Sequence, residues 1–188
     1  MKKLMILFML YTLNNACQSS LNSSVSNDAS KEYAVDGIIK TIEESIGHID
    51  STTKWSNVIE KDIQESTEGG ISTYYFKDDN LAKIVLNHYG EMFQSTQTYY
   101  VNSGELICFA EEKLLYNRPI YYDQEAMEEN GDTTFFDVEK STKTKYVYYF
   151  RGEKMVSDKV VGSEKNNLSI EHLQDSILRE FDVIRMKL

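Results

Sequence analysis

The hydrophobic pattern changes character several times along the chain. Behind Lys2 and Lys3, residues Leu4–Leu13 are apolar except for Tyr11 and Thr12. Residues 18–30, QSSLNSSVSNDAS, are mostly Ser and Asn and bury too little apolar surface to offset chain entropy, so they are read as a flexible tether. From there Val35, Ile38, Ile39, Ile42, Ile46 and Ile49 recur at steps of three and four, which predicts an amphipathic helix. Asp28 or Ser30 can cap its start, and Gly47 signals its end. The last apolar stripe, Ile170, Leu173, Ile177, Phe181, Ile184 and Leu188, again keeps helical steps, with Ser169 as N-cap and Arg185 and Lys187 at the negative end of the dipole.

Between the helices Tyr, Phe, Ile, Val and Thr dominate, broken by short polar turns, which is strand and hairpin chemistry. Strands are expected near 55–64, 70–77, 81–89, 92–102, 105–116, 145–151 and 154–161. One unit recurs: Tyr74-Tyr75-Phe76 leads through a turn to Leu81, Tyr99-Tyr100-Val101 to Leu106, and Tyr148-Tyr149-Phe150 to Met155. Two-residue turns at Asp78-Asp79, Ser103-Gly104 and Gly152-Glu153 place Phe76 opposite Leu81, Val101 opposite Leu106 and Phe150 opposite Met155. Simple alternation then puts Tyr99, Val101, Leu106 and Cys108 on one face, and Tyr100, Ile107 and Phe109 on the other. The spacing of the units leaves room for a degenerate copy around Tyr121-Tyr122. Pro119 interrupts the sheet, and residues 123–132, DQEAMEENGD, form an acidic insertion. The fold class expected is α+β: an antiparallel meander of about six to eight strands, with an N-terminal and a C-terminal helix packed on one face. Residues 1–16 are read as a signal peptide, 17–30 as the tether and 31–188 as one domain.

The N-terminal run is too short to cross a bilayer as a helix, which needs about 20 residues. A charged start, a short apolar stretch and Ala16 before the cut are the parts of a secretory signal. Cys17 directly after Ala16 resembles the lipidated cysteine of bacterial lipoproteins, with Asn14 where Leu is usual. The relaxed pattern is similar to lipoprotein signals of Bacteroidota. The resemblance implies a membrane partner held through acyl chains on Cys17; ordinary cleavage with release is the alternative. In that group an acidic run after the cysteine often marks export to the outer face. None follows Cys17 directly, which leans toward the periplasmic face of the cell envelope.

Charge narrows the partners. The chain has a net charge of −10, and losing Lys2 and Lys3 with the signal takes it to −12. That sign repels phosphate backbones and anionic lipid, so no nucleic-acid partner is expected. With Cys17 lipidated, Cys108 has no disulfide partner and reads as a buried thiol within Leu106-Ile107-Cys108-Phe109.

Catalytic patterns are missing from the sequence. His48, His88 and His172 have no partner at ligand spacing, so neither a metal nor a cofactor is expected. No Gly-x-Ser-x-Gly elbow or phosphate-cradling loop occurs. Glu43-Glu44, Glu111-Glu112 and Glu128-Glu129 are adjacent carboxylates, and sequence neighbours point apart on a strand or helix. Asp123, Glu125, Glu128, Glu129 and Asp132 lack the spacing of a calcium loop and read as a solvated surface. No catalytic residue is assigned. The remaining feature is the tyrosine content, 13 in all. Tyrosine combines apolar area with a polar tip, so Tyr75, Tyr100 and Tyr149 are the candidate ligand-binding residues.

Glu65 to Gly70, Tyr-Tyr-Phe at 74–76, Gly90-Glu91, Tyr-Tyr-Val at 99–101 and Tyr116 to Ile120 resemble an uncharacterised family of small bacterial envelope lipoproteins of the Bacteroidota type. More loosely, the Tyr-Tyr–turn–Leu unit is similar to the hairpin repeats of YwqK-type and MORN-type proteins, which are interaction scaffolds in many settings. The resemblance implies fold and location, not activity. The function expected is a non-enzymatic, envelope-tethered binding module whose tyrosine-rich sheet holds a protein, peptide or glycan. The alternatives are a carboxylate-based hydrolase and a lipid or ligand carrier with a concave sheet.

Overall fold

A computed structural model describes residues 21–63, 68–162 and 169–188. The expected signal peptide at 1–16, Cys17, the tether residues 18–20 and Glu65, Ser66 and Thr67 lie outside the described residues. The chain divides into two compact units, one ending at Gly37 and the other running from Ile38 to Leu188.

The fold is α+β. Seven strands, β1 (Asn57–Ile63), β2 (Gly70–Lys77), β3 (Asn80–Tyr89), β4 (Phe93–Asn102), β5 (Glu105–Leu115), β6 (Thr142–Arg151) and β7 (Lys154–Val161), pair antiparallel in chain order as one meander sheet. Helix α1 (Leu21–Asp50) precedes the sheet, α2 (Gln124–Asn130) lies between β5 and β6, and α3 (Ile170–Met186) ends the chain. The first helix is longer than its apolar stripe. It begins at Leu21, within the segment expected as a tether, and passes Gly47 to end at Asp50.

The three repeated units form the hairpins β2–β3, β4–β5 and β6–β7, with Phe76 paired to Leu81, Val101 to Leu106 and Phe150 to Met155. The turn residues explain the register. Asp78 and Asp79 at φ 48° and 60°, and Ser103 and Gly104 at φ 52° and 81°, have the double left-handed geometry of a type I′ turn. At the third tip Gly152 has φ 60°.

Each hairpin also carries a register shift at the same place, between Tyr75 and Phe76, between Tyr100 and Val101, and between Tyr149 and Phe150. Ala82, Ile107 and Val156 are the extra residues on the returning strands. An inserted residue reverses the facing of everything beyond it. This corrects the expected alternation in β5. Phe109 joins Tyr99, Val101 and Leu106 on one face, while Cys108 lies with Tyr100 and Ile107 on the other.

The two faces have separate roofs. Ile177, Phe181 and Ile184 of α3 pack on Tyr74, Ile84, Tyr99, Phe109, Tyr148 and Phe150. Ile42 of α1 packs on Cys108 and Tyr149, flanked by Ile38, Ile39 and Ile46. The terminal helices therefore cover opposite faces rather than the same one. Both faces present large side chains, and each needs its own cover to exclude water.

Tyr121-Tyr122 is not a degenerate hairpin. It sits in the connection from β5 to β6, between Pro119 and α2, where Tyr122 N–H donates to Pro119 O at 2.9 Å. The acidic insertion supplies α2, capped by Asp123 accepting from Ala126 N–H and closed by Gly131 at φ 67°.

Candidate functional site

The repeated bulges align the second tyrosine of each unit. Cross-strand pairing runs Val58, Tyr75, Lys83, Tyr100, Cys108, Tyr149, Ser157, one residue from each strand. Tyr75, Tyr100 and Tyr149 thus stand in one row on the face covered by α1. The hydroxyls of Tyr100 and Tyr149 are engaged by the chain itself. Tyr149 Oη donates to Glu43 Oε1 at 2.9 Å. Tyr100 Oη donates to Asp50 Oδ2 at 2.9 Å, and Lys83 Nζ donates to Asp50 Oδ1 at 2.9 Å. Glu43 and Asp50 are two helical turns apart, so both carboxylates point to the same side of α1. Tyr75 closes the row, with its ring 5.1 Å from Trp55 and with Lys83 Nζ 5.1 Å above it.

Burial sets the acidity of the row. Desolvation pushes the Cys108 thiol up to about 12, against the opposing field of Lys145. The Tyr100 and Tyr149 hydroxyls are raised by burial first and by their hydrogen bonds to Asp50 and Glu43 second. These protons stay in place at neutral pH, where the tyrosines act as donors to the helix carboxylates.

The adjacent acids separate as strand geometry requires. Glu111 accepts from Ser95 Oγ at 3.0 Å on the α3 face. Glu112 pairs with Lys145 at 2.8 Å and Lys143 at 3.0 Å on the α1 face. Those lysines hold its carboxyl below the usual range. On the α3 face the fully buried Tyr99 hydroxyl is raised by desolvation and by the nearby carboxylates of Glu180 and Glu111. Among the described residues no group of three or more His, Cys, Asp and Glu side chains is placed to hold a metal ion. In the acidic insertion Asp132 pairs with Arg118 at 3.4 Å.

A cavity of about 400 Å³ lies between α3 and the tips of the second and third hairpins. Leu106, Leu178 and Phe181 give it an apolar wall, and Glu105, Glu153, Asp175 and Arg179 give it charge. Arg185 is already committed: it pairs with Asp182 at 2.8 Å, donates to Gly104 O at 3.4 Å and stacks 5.3 Å from the Phe181 ring centroid. The side chains of Glu105, Glu153, Asp175 and Arg179 have no partner of this kind among the described residues. Sequence reading missed this site because its walls come from two hairpin tips and a helix flank far apart in the chain. The signal available was the set of charges at 175, 179, 182 and 185, which share one side of the C-terminal helix.

Compared with known proteins, the chain matches no family model, no curated protein and no solved structure.

Proposed function

We propose that the chain is an envelope-tethered lipoprotein of the Bacteroidota type, anchored through Cys17 and facing the periplasm, that works as a non-enzymatic binding module. The observation that carries the binding role is the cavity at the hairpin tips, with uncommitted Arg179, Glu105, Glu153 and Asp175 around an apolar wall. An apolar wall with a few convergent charges is the usual composition of a recognition site. Both signs of charge suit a peptide segment of an envelope partner, whose backbone and side chains supply both donors and acceptors. A lipid carrier needs an apolar lining instead, and a carboxylate hydrolase needs two acids facing across a cleft.

Tyr100 and Tyr149 play a different part in this reading. Their hydroxyls hold α1, so the binding surface moves from the middle of the sheet to its hairpin tips.

Two measurements test the proposal in the native envelope. A photo-crosslinker replacing Glu153 captures a defined partner. Arg179→Glu removes that capture, while a crosslinker at Lys159 on β7 captures nothing. Equal capture from both positions, or capture indifferent to Arg179→Glu, refutes the tip cavity as the site. Cys17→Ser moves the chain from the membrane fraction to the soluble one; a chain that stays on the membrane refutes the lipid anchor.

A further inference from the structure

The α1 segment Ile38–Asp50 fits the tyrosine row as a ligand fits a groove. Two of its three carboxylates meet donors two turns apart, Glu43 at Tyr149 and Asp50 at Tyr100 and Lys83. Ile42, just before the first of these acids, packs in an apolar cluster with Cys108, Ile107, Val147 and Val156, and Ile46, between the two acids, packs against the same cluster. The complementarity is general: a helix with acids at i and i+7, and isoleucine just before the first acid and three residues after it, presents what the row accepts.

The same segment is lightly held. Ile42 is its one buried residue, whereas α3 buries Ile177, Phe181 and Ile184. The Asp50 side chain is 45% exposed in its ion pair. Within the Ile38–Leu188 unit a single connector, residues 51–56, joins the segment to β1. An element with few buried contacts and water-accessible polar ties opens at a lower cost than the whole domain.

We propose that the tyrosine row is a helix-binding groove, that Ile38–Asp50 is its resident and undocks as a unit while the sheet stays folded, and that the same segment of a second copy replaces it. Exchange rebuilds every contact of the closed form across a two-fold axis and changes only the connector at 51–56. Tyr100, Tyr149 and Lys83 then recognise a helix by the spacing of its acids.

Cys108 reports the state of the groove, because it is 1% exposed beneath the helix. In a full-length Cys17→Ser chain it is the sole thiol. The pair Glu43→Gln and Asp50→Asn is expected to raise the rate of Cys108 alkylation by N-ethylmaleimide at least tenfold, with the far-ultraviolet circular dichroism of the sheet kept. Tyr149→Phe cuts one tie from the sheet side and raises the rate as well, which guards against a double variant that fails to fold. A synthetic peptide of residues 36–52 brings the rate back toward that of the parent chain. The same peptide carrying Glu43→Gln and Asp50→Asn does not. Light scattering at rising concentration shows a dimer in which Cys108 stays protected. Alkylation that occurs only with global unfolding in urea overturns the undocking. A peptide without effect, or a chain monomeric at every concentration while Cys108 reacts, overturns the exchange.

Discussion

Asp78 and Asp79 both occupy the left-handed region, at φ 48° and 60°, a conformation that glycine adopts without steric penalty. The second hairpin uses Ser103-Gly104 for the same geometry, and Asp-Gly is a favoured pair for it. Asp79 contributes its backbone N–H to Ser56 Oγ at 3.2 Å, a bond that glycine keeps. Asp79→Gly is therefore expected to stabilise the domain by about 0.5–1 kcal/mol, read as a higher urea midpoint at unchanged slope. An unchanged or lower midpoint means that the aspartate side chain holds the turn in another way. These turns were legible in the sequence because their residues carry the dihedral preference themselves. The bulges were not. Ala82, Ile107 and Val156 are ordinary apolar strand residues, and nothing in their type marks them as inserted. The facing of Cys108 and Phe109 follows from that one hidden residue in β5.

At the scale of elements, periodicity found both terminal helices but could not say which sheet face each would meet. A helical stripe reports which side of the helix is apolar and nothing about its receiver. The sheet presents Tyr74, Tyr99 and Tyr148 on one side and Tyr100 and Tyr149 on the other, so either face can take either helix by composition. Packing separates residues that the stripe treats alike. Phe181 is 3% exposed and stacks 6.0 Å from Tyr99, whereas Ile170 is 63% exposed. Phe181→Ala is expected to cost about 3–5 kcal/mol of global stability. Ile170→Ala stays within about 0.5 kcal/mol. Paired urea titrations check this, and equal losses at the two sites contradict the α3 packing described above.

For the whole molecule, the row beneath α1 and the core beneath α3 share one electrostatic consequence. Both hold weakly acidic groups in their neutral forms. Burial pushes the Cys108 pKa up to about 12, and it is also the leading cause of the raised pKa values of Tyr99, Tyr100 and Tyr149. In the unfolded chain a thiol titrates near 8.5 and a tyrosine near 10. Above those values the unfolded chain has released protons that the folded chain still binds, so stability falls as pH rises. The contribution is fully present below about pH 8.5. It is lost first through Cys108, up to its folded value, and the tyrosines add their share beyond about pH 10. Glu112 works in the opposite sense. Lys145 and Lys143 lower its folded pKa, so its contribution is present above about pH 4.3 and lost as pH falls. Its pair is partly exposed to solvent, which keeps that acid limb shallow. The expected profile of urea midpoints is therefore nearly flat from about pH 5 to 8 and descends steeply on the alkaline side. Cys108→Ala lessens the descent just above pH 8.5, and Tyr149→Phe lessens it above pH 10, each relative to its own neutral midpoint. The growing negative charge of the chain also weakens the compact state at high pH, but both variants carry that term alike. Parallel alkaline limbs in the parent and both variants would mean that repulsion alone drives the loss, and that the buried hydroxyls and thiol ionise as easily in the folded chain as in water.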